Sequence, residues 1–462
     1  MTNLDRRAFL RWSAWMGGAV LAPSMSGLIS CSRSRYSGGD PSLRPARIGE
    51  GGYGVLLPSS DVAGVISIPT RFHAALLSTS GEEMIDGVVP NGFDGMAAFD
   101  ASAGRVRLVR NHELRDTVSG GARPFGERAY DAAGPAGTTT LEVQVRTDGE
   151  ARLVKQFASL AGTCVNCAGG STPWGSWISC EETVAGTGEG WTRNHGYPFE
   201  VRASAEGTVV PVPLTAMGRF EHEALAVDPV TGWIYQTEDR KPAGFYRFKP
   251  RVRGQLHQGG TLEALAIVGL PGHDTGTGQT ILAPRKVEWV GIDEPDSDSP
   301  VLPSGFVFKQ ALEKGAAQFA RLEGCWYGDD SIYFNATVGG NAGVGQVWQY
   351  HISRDELQLV FESPSPAILN SPDNICVSPR GGIVLCEDAT GTNYVRGLTK
   401  EGAIFDLVRN NINNVEWAGA CFSPSGSTLF VNMQGNTRPL EAPSGDKAMT
   451  FAIWGPWESG AL

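Results

Sequence analysis

The sequence predicts an all-β protein, and three observations carry that prediction. Gly accounts for 60 and Pro for 28 of the 462 residues, more turn formers than a helical chain uses. Hydrophobic residues make up 41% and charged residues only 19%, too apolar a mixture for a disordered chain. Short runs rich in Val, Ile, Tyr, Phe and Trp recur in pairs, each pair split by a tight-turn signal. The formal charge of −11 argues against a broad polyanion surface and so against nucleic acid as a partner. Phosphate would be held only at a focused site.

The chain begins with an address segment. Arg6-Arg7 precede Phe9-Leu10 and an uncharged run from Trp12 to Ser30, which Gly17, Gly18, Pro23 and Gly27 interrupt. A lasting membrane span takes about 20 predominantly apolar residues, and this run fits an export signal better; the paired arginines make it a twin-arginine one. Residues 1–30 are therefore expected to be a twin-arginine signal peptide, with the twin-arginine translocase as a partner. That route carries folded proteins, so a cofactor can be loaded before export. Leu28-Ile29-Ser30-Cys31 has the form of a lipobox, which would make Cys31 a lipidated N-terminus; a plain cut nearby is the alternative. The expected location is the periplasm, or a lipid anchor facing the cell exterior. Residues 31–46 read as a polar tether and 47–462 as a single folded body. No second stretch has transmembrane length, so the lipid would be the only membrane link. Without Cys31 seven cysteines remain, an odd number that excludes a complete set of disulfides. Most are expected to be buried as small apolar residues.

Six segments then repeat one plan: an acidic or small polar residue, a strand, a tight turn, a second strand, and another acidic or amide residue. They are 94–113, 166–182, 223–238, 323–335, 373–387 and 417–432. Further strands follow in some units, at 244–248, 345–350 and 393–396. Multi-stranded units repeated at intervals of roughly 40–50 residues or more predict a six-bladed β-propeller, with a pair of β-sandwiches as the alternative. The stretches around 114–160 and 250–315 are expected to be inter-blade or intra-blade insertions. A closed propeller needs no partner copy, so a monomer is expected.

The polar residues fall at one phase of this repeat, where the first strand begins and its hairpin partner ends. In an antiparallel hairpin those positions are side by side, so the units would deliver Asp94 and Glu113; Cys180, Glu181 and Glu182; Glu221, Glu223, Glu238 and Asp239; Glu323 and Asn335; Asp373, Glu387 and Asp388; and Asn432 to one end of the axis. At an effective dielectric near 20, two charges about 4 Å apart repel by about 4 kcal/mol. Such a set must protonate, spread out or bind cations. Oxygen donors suit calcium. A thiolate, with His112 and His222 nearby in the Asn-His-Glu and Glu-His-Glu triplets, suits a transition metal.

The segments DGMAAF, LVRNHE, YDAAGPAGTTTL, GTCVNCAGGSTPWGSWISCEET, GRFEHEALAVDPVTGWIYQTED, ARLEGCWY, SPDNICVSPRGGIVLCED and EWAGACFSPSGSTLFVNMQGNT resemble, in content and order, the PhoX-type alkaline phosphatase family, from about residue 84 to 436. The resemblance implies a six-bladed propeller, phosphomonoester hydrolysis, and a cluster of iron and calcium ions held by a cysteine and carboxylates, with an arginine gripping the phosphate. Carried onto this chain, it implies Cys180 as the iron ligand, with Cys167 as the alternative thiolate. Glu181, Glu221, Glu223, Glu323, Asp373 and Glu387 are the implied further metal ligands, and Arg321 the phosphate clamp. Two rivals stay open on the residues alone: a calcium-dependent propeller lactonase, and a non-catalytic propeller lipoprotein acting as a binding platform.

Overall fold

Strands succeed one another with little else between them in the computed structural model, which describes residues 51–115, 125–437 and 446–462. The export segment, Cys31 and the tether lie outside the described residues. Strands β1 (Leu56–Pro58), β2 (Ile66–Pro69) and β3 (His73–Thr79) come first, then a small hairpin, β4 (Glu83–Met84) and β5 (Gly87–Val88). The first large antiparallel group is β6 (Phe93–Asp100), β7 (Arg105–His112), β8 (Ala136–Val145) and β9 (Ala151–Thr163). The second is β10 (Asn166–Ser171), β11 (Ser176–Glu181) and β12 (Pro198–Arg202). The third is β13 (His222–Val227), β14 (Ile234–Glu238), β15 (Phe245–Pro250), β16 (Gly260–Ile267) and β17 (Arg285–Gly291). After a helix, α1 (Phe306–Glu313), the fourth is β18 (Leu322–Tyr327), β19 (Ser331–Ala336), β20 (Gln346–His351) and β21 (Glu356–Glu362). The fifth is β22 (Pro372–Val377), β23 (Ile383–Glu387), β24 (Tyr394–Leu398) and β25 (Ile404–Asn410), extended at its edge by β2 and β1. The sixth is β26 (Trp417–Phe422), β27 (Thr428–Met433) and β28 (Met449–Trp454), and β3 from the start of the described chain adds its fourth strand.

The fold is all-β and propeller-like. The first strands of the groups neighbour one another in a closed cycle, from β6 through β10, β13, β18, β22 and β26 back to β6. Small residues permit the close approach. A Cβ added to Gly95 would stand 2.6 Å from the Ala168 Cα, and one added to Gly324 would stand 2.6 Å from the Ile375 nitrogen. Tight reversals join each first strand to its partner: Asp329 and Asp330, between β18 and β19, both have positive φ, as a type I′ turn requires. Aromatic and branched side chains fill the space between neighbouring groups, as where Phe245 stacks on Phe334 with centroids 4.2 Å apart. Trp326, near the far end of β18, packs against four separate apolar clusters.

One expectation about insertions needs correction. Residues 136–163 are not an insertion but the long outer strands β8 and β9, whose alternation of small and apolar residues continues the sheet. Residues 250–315 contain β16, the fourth strand of the third group, and after it β17 and α1 stand between that group and the next; β17 pairs with β21 at Arg285↔Leu357, joining the third and fourth groups.

Candidate metal centre

Each first strand meets its partner through the same irregularity. The ladder skips after the opening pair in Phe93/Met96, Asn166/Gly169, His222/Leu225, Leu322/Cys325 and Pro372/Ile375, and one residue later in Ala418/Cys421. Such bulges re-aim side chains. Here the second residue of the strand lies in the skip in five groups: Asp94, Cys167, Glu223, Glu323 and Asp373. The sixth group has Ala418 at that position. A recurring hydrogen bond fixes the ends of the hairpins. The residue after each second strand donates its N–H to the carbonyl of the residue before each first strand: Glu113 to Gly92, Glu182 to Val165, Asp239 to Glu221, Thr337 to Arg321, Asp388 to Ser371 and Gln434 to Glu416, at 2.7 to 3.2 Å.

These positions converge. Ligand atoms of Cys167, Glu182 and Glu223 lie within 4.8 Å of one another; so do those of Glu223, Glu323 and Asp373, those of Asp373, Asp388 and Glu416, and those of Asp94, Glu113 and Glu416. Glu223, Asp373 and Glu416 are shared, so the four sets form one continuous patch. Asp94, Glu113, Cys167, Glu223 and Glu323 are buried, while Glu182, Asp373, Asp388 and Glu416 are at least partly exposed. Burial, with repulsion from neighbouring carboxylates added, pushes Asp94, Glu182, Glu223, Glu323, Asp373 and Glu416 well above the usual carboxylate range. Burial and then Glu223 and Glu182 likewise push the Cys167 thiol up. Two basic residues enter: Arg321 forks onto Asp239 (2.7 and 2.8 Å) and reaches Glu323 (2.5 Å), while Arg115 pairs with Glu113 and Glu182. Gln434 donates to Asp94 Oδ2 (3.2 Å) and Glu113 Oε2 (2.6 Å), yet Asp94 Oδ1 is buried with no hydrogen-bond partner among the described residues. A surplus of buried carboxylates over basic groups, an orphaned carboxylate oxygen and a thiol among them are what a multi-cation site presents.

The sequence-derived candidates divide. The structure brings Glu223, Glu323, Asp373 and Arg321 to the patch. Cys180 is elsewhere: its side chain lies in an apolar cluster with Ile178, Leu214, Met217 and Leu225. Its position faces the bulge, and the equivalent residues hold neighbouring strands together. Asn111 donates to the Cys167 carbonyl (3.1 Å), Thr237 to that of Glu323 (2.6 Å), Asn335 to that of Asp373 (3.1 Å) and Asn432 to that of Asp94 (2.6 Å). The thiol at the patch is Cys167. Glu181 and Glu387 are also outside it, because side chains alternate along a strand and each stands one residue before the patch position. Glu181 accepts from His195 Nδ1 (2.7 Å) and from the amides of Cys164, Gly196 and Tyr197. Glu387 accepts from Arg396 (2.9 Å) and the amides of Asn370 and Tyr394. Glu238 follows the same rule, bonding Tyr246 Oη (2.7 Å) and the Gly244 amide (3.0 Å). Glu221 joins none of the four sets; its Oε2 is buried without a hydrogen-bond partner among the described residues, and its charge, after burial, helps raise Glu238 to about 8.

Glu416 and Arg115 were missed. The last repeat unit read from the sequence opens at Trp417, one residue late. Alignment on the turn before each first strand would have put Glu416 beside Arg321 in the repeat. Arg115 stands two residues past Glu113, outside any repeating position, and carries no signal in the sequence.

The family model for alkaline phosphatase PhoX matches residues 51–436. Among solved structures, Pseudomonas fluorescens PhoX in complex with vanadate, a transition state analogue, superposes with a TM-score of 0.64 at 18% identity, covering 88% of this chain and 98% of that one. A gluconolactonase from Xanthomonas campestris gives 0.43 at 13% identity, covering 90% and 99%. The calcium-binding protein regucalcin from Agrobacterium tumefaciens gives 0.37 at 10%, covering 82% and 95%. No functionally curated protein matches. With the family model spanning most of the chain and the PhoX structure sharing its fold, this protein belongs to the alkaline phosphatase PhoX family.

Proposed function

We propose that the chain hydrolyses phosphomonoesters at a calcium and iron cluster bound at the open end of a six-bladed propeller, as an exported monomer. The observation that carries this is the continuous patch in which one thiol, Cys167, stands among carboxylates shared between neighbouring sets. Oxygen-only sets such as Asp373, Asp388 and Glu416 suit calcium, while the thiol-bearing set of Cys167, Glu182 and Glu223 suits iron. The sixfold recurrence of one hairpin-end hydrogen bond supports six blades. Arg6-Arg7 and the uncharged run behind them support twin-arginine export, with Cys31 as the lipid attachment if the lipobox is used.

The residues divide the work. Asp94, Glu113, Cys167, Glu182, Glu223, Glu323, Asp373, Asp388 and Glu416 would hold the cations. When bound, those cations offset the phosphate dianion's charge and make a nucleophile available from water near neutral pH. Arg321 holds the phosphate: its planar fork already matches one carboxylate with two parallel hydrogen bonds, the geometry a phosphate presents. A donor already positioned on the transferring phosphoryl group meets its redistributed charge in the transition state without reorganising.

The deciding experiment is elemental analysis of protein exported by its native host, paired with assays on a phosphomonoester and a lactone. Calcium and iron with ester turnover is the expected result. Metal-free protein, or turnover of the lactone alone, overturns the proposal.

A further inference from the structure

Arg115 makes ion pairs with Glu113 and Glu182. Its side chain is 37% exposed, against 29% for Arg321. Among the described residues these are the only two basic side chains forming ion pairs with the patch. They are not independent. Asp239, the carboxylate that Arg321 forks onto, stands close enough to Glu182 to help push its carboxyl up. Arg115, Glu182, Asp239 and Arg321 thus follow one another, with a partly exposed guanidinium at each end and the two carboxylates between them. The Arg115 backbone is anchored as well, its N–H donating to the Thr437 carbonyl at 2.9 Å, so the side chain is presented from a tied position.

We propose that Arg115 is a second phosphate-gripping residue, taking the substrate's phosphate oxygens from the end of that series opposite Arg321. The proposal rests on the phosphatase reading above. A monoester dianion carries three peripheral oxygens, and a single fork satisfies at most two of them. With Glu113 and Glu182 holding cations, the Arg115 donors would be free to bond a phosphate from their partly exposed side. Arg110, although near in sequence, is fully buried and bonds Thr450 and Thr139, so it cannot serve.

The test uses metal-loaded holoenzyme and the variants Arg115→Ala and Arg115→Lys, with inhibition by inorganic phosphate, KM, kcat and metal content measured on each. Loss of charge-assisted hydrogen bonds predicts an inhibition constant for phosphate raised about ten- to hundredfold in Arg115→Ala, with KM rising in parallel. Arg115→Lys should recover part of the affinity, and metal content should equal that of the wild type. Unchanged phosphate inhibition at full metal content overturns the proposal. So does loss of metal from both variants, which would make Arg115 a support for Glu113 and Glu182. Metal-loaded wild-type protein that neither binds phosphate nor turns over an ester overturns the phosphatase reading, and Arg115's role with it.

Discussion

Glu181 and Glu182 are consecutive, and they look in opposite directions. Glu182 reaches Arg115 and the cation patch, whereas Glu181 is enclosed by His195 and three backbone amides. Glu182→Gln should lower the metal content and, with it, turnover by at least about tenfold. Glu181→Gln should keep the metal and cost about 2–4 kcal/mol of stability, since it removes half of a buried charged pair. Elemental analysis and urea unfolding of the two variants read the difference; exchanged outcomes would mean the strand is turned the other way.

The two thiols separate similarly. Cys167→Ser should lose iron and reduce kcat about a hundredfold or more, because a hydroxyl does not replace a thiolate on a transition metal. Cys180→Ser should hold its iron and cost about 1–3 kcal/mol for a hydroxyl buried among Ile178, Leu214 and Met217. Iron retained in the first variant and lost in the second would return the ligand role to Cys180.

Arg321→Lys keeps the charge and removes the fork. A fall in kcat/KM of about ten- to hundredfold is expected, with weaker inhibition by inorganic phosphate. Wild-type kinetics would leave Arg321 as no more than a counterion for Asp239 and Glu323.

His195 gives a pH dependence to stability. Burial disfavours its charge, but Glu181 and Asp131 on either side outweigh that and raise it to about 9. A raised folded value means the imidazolium stabilises the fold fully below its unfolded value near 6.5, and that contribution fades as pH climbs through about 9. Asp131 does not titrate in this window: although burial opposes it, hydrogen bonds from His195, Thr192 and backbone amides hold it below the usual carboxylate range. Unfolding free energy at constant metal should therefore fall by about 3 kcal/mol from pH 6.5 to 9. His195→Gln should flatten the decline; an unaltered slope in that variant would assign it to another group.

Gly324 tests the packing behind the site. A Cβ there would stand 2.6 Å from the Ile375 nitrogen and 2.7 Å from the Asp373 carbonyl oxygen. Backbone atoms have little room to yield, so Gly324→Ala should cost about 1–3 kcal/mol. It should also lower metal occupancy by parting Glu323 from Asp373. Wild-type stability and metal content would show that β18 and β22 have slack.

The repeat of hairpins and the end at which their polar residues gather could be read from alternation and turn chemistry, because these are local. Which of two neighbouring carboxylates faces inward could not. At Glu181-Glu182 and Glu387-Asp388 the choice depends on a one-residue register, and the bulges that set it leave no mark in the apolar pattern. Cys180 was attractive for its acidic neighbours, but it occupies the position that Asn111, Thr237 and Asn335 use to bond the next strand group. Arg115 was invisible because its role comes from where a loop returns in space.

The sheet that closes the ring is sewn from both ends of the described chain, β3 lying against β28. Asp94 and Glu416, which share a set, are likewise supplied by its opening and closing portions. A nascent fragment that still lacks the sixth strand group therefore has no finished binding pocket. Inorganic assembly has to wait until both portions are made, and any truncation that removes Glu416 and the strands after it leaves an incomplete chelator rather than a weaker enzyme.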